Sequence, residues 1–388
     1  LAAISRRYRE RENHISSDSW PIYISLQKDG ILFKMRRTQD LPDKESATMF
    51  FQDCKLAHQA QITGISHSVK EILPPDLLDL TQLQKEANIR YGYTASEVYD
   101  IAQSLYEKKL ISYPRTSSRY LTEDVFDSLS PIMTRLLSWE LFPVAKGTGG
   151  IDISSLSRHV ISAEKANVHH AIIITGIRPG NMSEKEMQVY RLVAGRMLEV
   201  FMAPCRIETT NVEAVCAAQH FKAEQTRIIE AGWHDVFMHS DMIPTSGYSV
   251  KELPEVEKGD TLNVCGCNMV HKKQLPVDPF TDAELVEYME LNGLGTVSSR
   301  TNIIRTLVNR KYIRYSGKYI VPTPKGMFTY ETIRGKKIAD TSLTADWEKQ
   351  LTGLESGMIT GQDFLNRIRT LAKEMTDDIF NTYSTKEE

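Results

Sequence analysis

The sequence predicts an α+β multidomain protein in which a two-part β domain carries helical, winged-helix-like domains. Three observations predict it. Alternating apolar runs appear from Trp20 to about Ser68 and return from Ile207 to Val264. Helical patterns over 80–143 and 184–202 separate them, and a further helical stretch follows Pro276 and Pro279. The two helical stretches share an internal repeat. A β region that stops and resumes is most simply one discontinuous domain with a helical insert.

The elements follow in order. Residues 1–14 are charged and helical in pattern. Residues 20–26 and 31–35 read as strands, with Gln27-Lys28-Asp29-Gly30 as a hairpin turn between them. The strand pattern runs on to about Ser68 and is broken by Pro74-Pro75. Residues 80–143 read as helices with one extended interruption at 110–114. The glycine-rich stretch 146–150 reads as a flexible loop. An amphipathic helix covers 184–202 and stops near Pro204. Strands return, among them 210–215 and 261–264. Pro276 and Pro279 mark the next boundary, and the remainder is helical apart from one hairpin.

Composition bounds the function. The chain has 388 residues, 41% hydrophobic and 25% charged, which fits a folded chain of two or three domains and excludes wholesale disorder. A net charge of −3 does not advertise a nucleic-acid binder, although a sum conceals local patches. Five scattered cysteines form no CxxC pair, which argues against a zinc site and a disulfide framework and favours a reducing, cytoplasmic setting. No run reaches the roughly 18 apolar residues of a membrane span, and no apolar core follows the N-terminal charges as in a signal peptide. The chain begins without Met, inside a helical pattern, and reads as a fragment of a longer protein.

The repeat has a fixed offset of 202 residues: Leu83/Leu285, Thr94/Thr296, Ser96/Ser298, Ile101/Ile303, Leu105/Leu307, Lys109/Lys311, Ile111/Ile313 and Tyr113/Tyr315. Each copy reads helix, glycine-containing turn, helix, strand. The second continues into a hairpin around Ser316-Gly317, a winged-helix outline. From Thr296 to Tyr330 there are seven basic residues, no Asp or Glu, and five Tyr or Phe. Cations for phosphates with aromatics for stacked bases is how sequence-tolerant single-strand binding is built. A solvated basic face over core aromatics is the competing reading.

In the first copy, Tyr113-Pro114-Arg115 stands where the wing is expected. Pro114 restricts Tyr113 to extended backbone. A free tyrosine, with a pKa near 10, is a poor nucleophile at neutral pH. A guanidinium two residues away favours the phenolate and offsets charge on a phosphate in transit. Thr116, Ser117 and Ser118 add hydroxyls for phosphate oxygens. Alone, such a tripeptide is more often structural.

The segment Leu110-Ile111-Ser112-Tyr113-Pro114-Arg115-Thr116-Ser117-Ser118-Arg119-Tyr120-Leu121 resembles the active-site motif of type IA DNA topoisomerases, the topoisomerase III branch above all. Residues 74–88, which include Gln84, are similar to the family's lead-in. His169-His170-Ala171-Ile172-Ile173-Ile174-Thr175 resembles its His-x-Ala-Ile-x-Pro-Thr element, and Gly293-Leu294-Gly295-Thr296 through Arg300 its Gly-x-Gly motif. Two residues depart from the family: Ser117 replaces an Asp and Ile174 a Pro.

The resemblance implies a ring-shaped enzyme of the gate region. Residues 15–73 and 205–274 would form the arch, 74–204 the helical domain with the catalytic tyrosine, and 275–388, with the helix of 1–14, the base that binds single-stranded DNA. It implies Tyr113 as nucleophile, Arg115 as the group steadying the phosphate and His169 as a phosphate contact. Thr116, Ser117, Ser118, Arg119, Gln84, Thr296, Ser298, Ser299 and Arg300 would line the DNA path. It further implies ATP-independent cutting, passage and resealing through a 5′-phosphotyrosine by a monomer associated with a bacterial-type nucleoid. Mg²⁺ would be bound by a separate domain with an Asp-x-Asp-type cluster. No Asp-x-Asp occurs in this chain, so no metal ligand is assigned and the chain alone is expected to be inactive. The rival is a non-catalytic winged-helix module in which Tyr113 stacks on a base.

Overall fold

The computed structural model describes residues 1–139, 141–142, 156–166, 168–237 and 246–384. The loop expected at 146–150 lies outside them. Helix α1 (Ala2–Glu12) leads through β1 (Asp18–Ser19) to β2 (Ile22–Lys28) and β3 (Ile31–Arg37). Asp29 and Gly30 both take positive φ, 52° and 82°, the two-residue turn whose twist matches its strands. Next comes α2 (Lys44–Leu56), a helix where the sequence suggested continued strand. The overlooked signal was Asp43, whose side chain caps the helix by accepting the Ser46 N–H at 2.7 Å.

Strand β4 (Gln59–Ile72) precedes α3 (Leu80–Tyr91), α4 (Ala95–Glu107), α5 (Glu123–Asp127), α6 (Leu129–Ser138) and α7 (Glu184–Glu199). Strands β5 (Cys205–Cys216), β6 (Gln219–Glu230), β7 (Thr261–Met269) and β8 (Lys272–Lys273) follow. The C-terminal part holds α8 (Asp282–Leu291), α9 (Val297–Asn309), β9 (Ile313–Ser316), β10 (Tyr319–Pro322), α10 (Pro324–Ile333), α11 (Thr341–Glu355) and α12 (Gly361–Ser384).

The β region closes into an antiparallel barrel, in the order β2-β3-β6-β5-β4-β7. Closure removes exposed strand edges. Alternate residues such as Ile22, Ile24, Leu26, Phe33, Met35 and Phe221 fill its interior. The helical insert leaves after β4 and returns at β5. Trp233 is buried between these two crossings. Its indole N–H donates to the Ile72 carbonyl (2.9 Å) and its backbone N–H to the Ala203 carbonyl (3.0 Å). The preceding Gly232 has φ +53°, and a Cβ there would lie 2.4 Å from the Ala203 and Pro204 oxygens. Only glycine fits that approach.

The repeat is structural. Helices α3–α4 and α8–α9 begin at matched positions, and the residues that end them, Lys109 and Lys311, have φ of 58° and 59°. Ile172 donates its N–H to Leu78 (2.8 Å), as Ile320 does to Phe280 (2.7 Å). Thr175 donates its hydroxyl to the Lys109 carbonyl, and Thr323 to that of Lys311, both at 2.6 Å. The first copy therefore keeps the hairpin pairing. Residues 171–175 are the return strand, paired through Ile111 and Ile174 as Ile313 pairs with Pro322. The sequence reading, in which a Tyr-Pro-Arg turn replaces the wing, is corrected: the hairpin pairing is kept but split by an insertion, and its second half re-enters over fifty residues later.

The two copies pack on each other about a pseudo-twofold axis. Lys85 and Glu287, themselves a repeat pair, meet at 2.5 Å. Thr81 donates to Glu290 (3.2 Å), and its mate Ala283 donates to Asn88, the mate of Glu290 (3.3 Å). Asp282, 2% exposed, accepts the Ala95 N–H and the Tyr315 hydroxyl, each at 3.1 Å. Among the described residues no helix is long and apolar enough to cross a membrane.

Candidate active-site cleft

The extended segment after α4 is held like a sheet strand. Ser112 donates its N–H to Ile173 (2.8 Å) and its hydroxyl to Ala171 (3.1 Å), and its oxygen accepts the Ile173 N–H (3.0 Å). Further along, the Thr116 hydroxyl donates to the His169 carbonyl (3.1 Å), and Ala171 donates to Tyr120 (2.9 Å). These bonds fix the backbone on both sides of Tyr113. They also bring His169 beside it: the rings lie 4.5 Å apart, tilted by 44°. Tyr106 packs edge-on to the other side of Tyr113 at 5.5 Å. Tyr113 itself is half-buried.

A cleft of about 280 Å³ opens here. Its walls are Arg115, Thr116, Ser117, Ser118, Lys165, Val168 and His169 from the insert, and Thr296, Val297 and Ser298 from the C-terminal part. Arg115 is steadied by Gln103 (3.1 Å) and by the Tyr99 ring, 5.0 Å from its guanidinium carbon. Its Nε is buried without a partner. Opposite lies the start of α9, whose first turn holds no acidic residue. Helix N-termini favour anions. Thr296 and Ser299 form the capping box there, with Ser299 Oγ accepting the Thr296 N–H at 2.8 Å.

Not every predicted residue reaches the cleft. Gln84 is 4% exposed, and its amide donates to the Ala95 carbonyl and the Thr301 hydroxyl, both at 2.9 Å. Arg300 is buried, donating to Thr81 (3.1 Å) and facing Glu290 (3.4 Å). Both knit the two repeat copies together. Arg119 is bonded to Asp79 (2.7 Å), the N-cap of α3. Burial raises the Asp79 carboxyl, while the Gln82 N–H and Arg119 pull it down. The basic hairpin begins at the far end of α9, roughly 20 Å from the cleft at 1.5 Å per residue. Lys165 went unread: it lies in irregular chain with no periodicity to single it out.

The departures have visible consequences. Ser117 is exposed and brings no carboxylate to the cleft. Ile174 directs its N–H to the Met197 sulfur (3.2 Å), so the backbone ladder beside it does not depend on that donor. Among the described residues no three or more His, Cys, Asp or Glu are grouped to hold a metal ion. The charged side chains of the cleft, Arg115 and Lys165, repel a cation. The donor set therefore does not fit Mg²⁺; it fits a phosphate.

Imidazole, guanidinium and a helix N-terminus without acidic residues around one cleft, with Tyr113 packed against the imidazole, match the expected motif, and a family model described as DNA topoisomerase matches residues 1–366. The chain belongs to the DNA topoisomerase family. Among curated relatives, DNA topoisomerase 3 of Bacillus licheniformis is 31% identical over 344 residues, 82% of this chain and 47% of that protein. The Bacillus subtilis DNA topoisomerase 3 is 30% identical over 352 residues, 84% and 48%. The fold is that of full-length topoisomerase I from Thermotoga maritima: TM-score 0.73, 22% identity, 96% of this chain and 61% of that one. The type IA resemblance read from the Tyr113 segment stands. This topoisomerase chain spans about half the length of the curated relatives it matches.

Proposed function

We propose that this chain carries the nucleophile of a type IA topoisomerase acting on single-stranded DNA. The Tyr113 oxygen attacks a backbone phosphorus. The bond to the 3′-oxygen breaks, that oxygen takes up a proton, and the phenol loses one. The 5′ end stays on the tyrosine, so the phosphodiester energy is stored and resealing needs no ATP. Arg115, Lys165 and the first turn of α9 would balance the phosphate charge, with the hydroxyls of Ser117 and Ser298 as donors. Mg²⁺, which the family uses, would come from residues other than those described here. Its chemistry would be to stabilise charge at the reacting phosphate.

In this reading the barrel is part of an arch, 74–204 the mobile tyrosine domain, and the α8–α9–hairpin unit a winged-helix DNA-binding base. The insert swings on its tethers near Pro74 and Pro204 to open the gate. The protein acts as a monomer. One observation carries the reading: Tyr113 lies against His169, which lines a cleft shared by both repeat copies. The test uses a protein joining this chain to a metal-binding domain, Mg²⁺ and a 3′-labelled single-stranded oligonucleotide. Denaturation should leave label on the protein, and Tyr113→Phe should abolish it. Equal DNA binding with no adduct in either protein would leave a non-catalytic module.

A further inference from the structure

The barrel holds a group of side chains that strand cutting does not use. Cys54, on the last turn of α2, is fully buried, and Cys216, at the end of β5, is 1% exposed. Both belong to the apolar core of the barrel. Cys267, on β7, packs against that core from a partly exposed position. The Cys54 thiol interacts electrostatically with both of the others. Cys267 Sγ also lies 3.9 Å from the Phe51 carbonyl, one turn before Cys54. Three elements distant in sequence thus bring three cysteines to one part of the barrel core.

Apolar packing explains a buried thiol but does not require thiols to be neighbours, because S–H is a weak donor and sulfur a weak acceptor. Nor is the cluster a metal cage, since no such grouping is found among the described residues. What neighbouring thiols do supply is a path to a covalent bond. The strand and helix that carry Cys267 and Cys54 already pack together, and Cys267 Sγ lies against the last turns of that helix.

We propose that Cys54 and Cys267 form a reversible disulfide when the protein meets a peroxide, making this part of the barrel an oxidation site. Cys267 reacts first, being the partly exposed member of the pair. The neighbouring Cys54 holds the Cys267 thiol below its ordinary range, which enriches the reactive thiolate. Cys54 goes the other way, to about 12: Cys216 pulls it down, and Cys267 and burial push it up. In the first step the peroxide O–O bond breaks and an S–O bond forms, giving a sulfenic acid and water. In the second, Cys54 sulfur attacks Cys267 sulfur. The S–S bond forms, the S–O bond breaks, and the Cys54 proton leaves with the hydroxyl as a second water. Two thiols lose two electrons and one peroxide gains them; a thiol reductant reverses the change.

The experiment treats the intact chain with hydrogen peroxide, blocks remaining thiols under denaturing conditions with N-ethylmaleimide, and maps peptides without reduction. A peptide pair joined through Cys54 and Cys267 should rise from trace to most of the Cys54 population and vanish with dithiothreitol. Cys205 and Cys216 should be recovered alkylated. In Cys54→Ser the sulfenic acid should persist on Cys267 and be trapped by dimedone. Oxidation confined to the exposed Cys265 would overturn the proposal, as would a Cys54–Cys216 link in its place. The wild-type crosslink is decisive by itself, so the result does not depend on how well the serine variant folds.

Discussion

The two repeat copies carry a tyrosine at the same place and treat it in opposite ways. Tyr315 donates to buried Asp282, and burial, with Asp282 beside it, raises its pKa far above the ordinary phenol range. Tyr113 stands half-buried against His169, which lines a cleft. The backbone frame is shared down to the positive φ at Lys109 and Lys311 and the threonine hydroxyls that bond them. What differs is the hairpin. In the second copy a tight turn joins its strands at Ser316–Tyr319, whereas in the first an insertion opens it and supplies Arg115, Lys165 and His169. One scaffold thus makes a structural tyrosine when the hairpin is closed and an accessible one when it is open.

The largest expected effect separates the two phenols. Tyr113→Phe should remove all covalent DNA adduct, while Tyr315→Phe should leave its rate within about twofold and lower stability by about 1 kcal/mol for the lost bond to Asp282. Adduct gels and urea melts on both variants read this directly; loss of adduct in Tyr315→Phe with intact folding would break the contrast. Next, Arg115→Ala should slow adduct formation by about 100-fold, the usual scale for a donor aimed at developing charge. Single-turnover cleavage measures it, and an unchanged rate would remove Arg115 from the chemistry.

Asp282→Ala leaves the Ala95 N–H and the Tyr315 hydroxyl without an acceptor and should cost about 1–3 kcal/mol. A pH effect accompanies it. Burial raises the Asp282 carboxyl, while the Ala95 N–H and Tyr315 pull it down. The folded protein then keeps a proton that the unfolded chain has released. Stability from this group is full below the ordinary carboxylate range and falls as pH rises through the raised value. Urea midpoints across that range should show the decline in wild type and lose it in Asp282→Asn. The smallest effect belongs to the pair on the pseudo-twofold axis. Lys85 and Glu287 are partly exposed, so a double-mutant cycle should give at most about 1 kcal/mol, shrinking with salt.

The sequence disclosed most where chemistry and local geometry coincide. Tyr113-Pro114-Arg115, the Asp29-Gly30 turn and the repeat could all be read from neighbouring residues. What stayed hidden depends on distant partners. The return strand 171–175 pairs with residues some sixty positions earlier, across chain with no periodic signal. Gln84 and Arg300 enter the expected DNA path through the family resemblance, and their partners in the other repeat copy leave no mark on the neighbouring residues. Helix α2 was missed for a local reason: Asp43 ended a run that otherwise looked like strand. Whether 15–73 and 205–274 formed one domain was legible; that they closed into a barrel was not, because closure rests on the β4–β7 and β3–β6 pairings.

Trp233 gives the two crossings between barrel and insert a common fate. Its indole grips the outgoing strand at Ile72 and its backbone the incoming chain at Ala203. In the proposed gate motion, two separate cords would let the insert twist as well as tilt, whereas cords clasped by one rigid ring would act as a door hinge with a single axle. Spin labels across the crossings should report one narrow distance in the wild type and a broader spread in Trp233→Ala. A swinging element confined to one degree of freedom returns to the same closed position after each excursion, and two broken ends can be rejoined only if they come back in register.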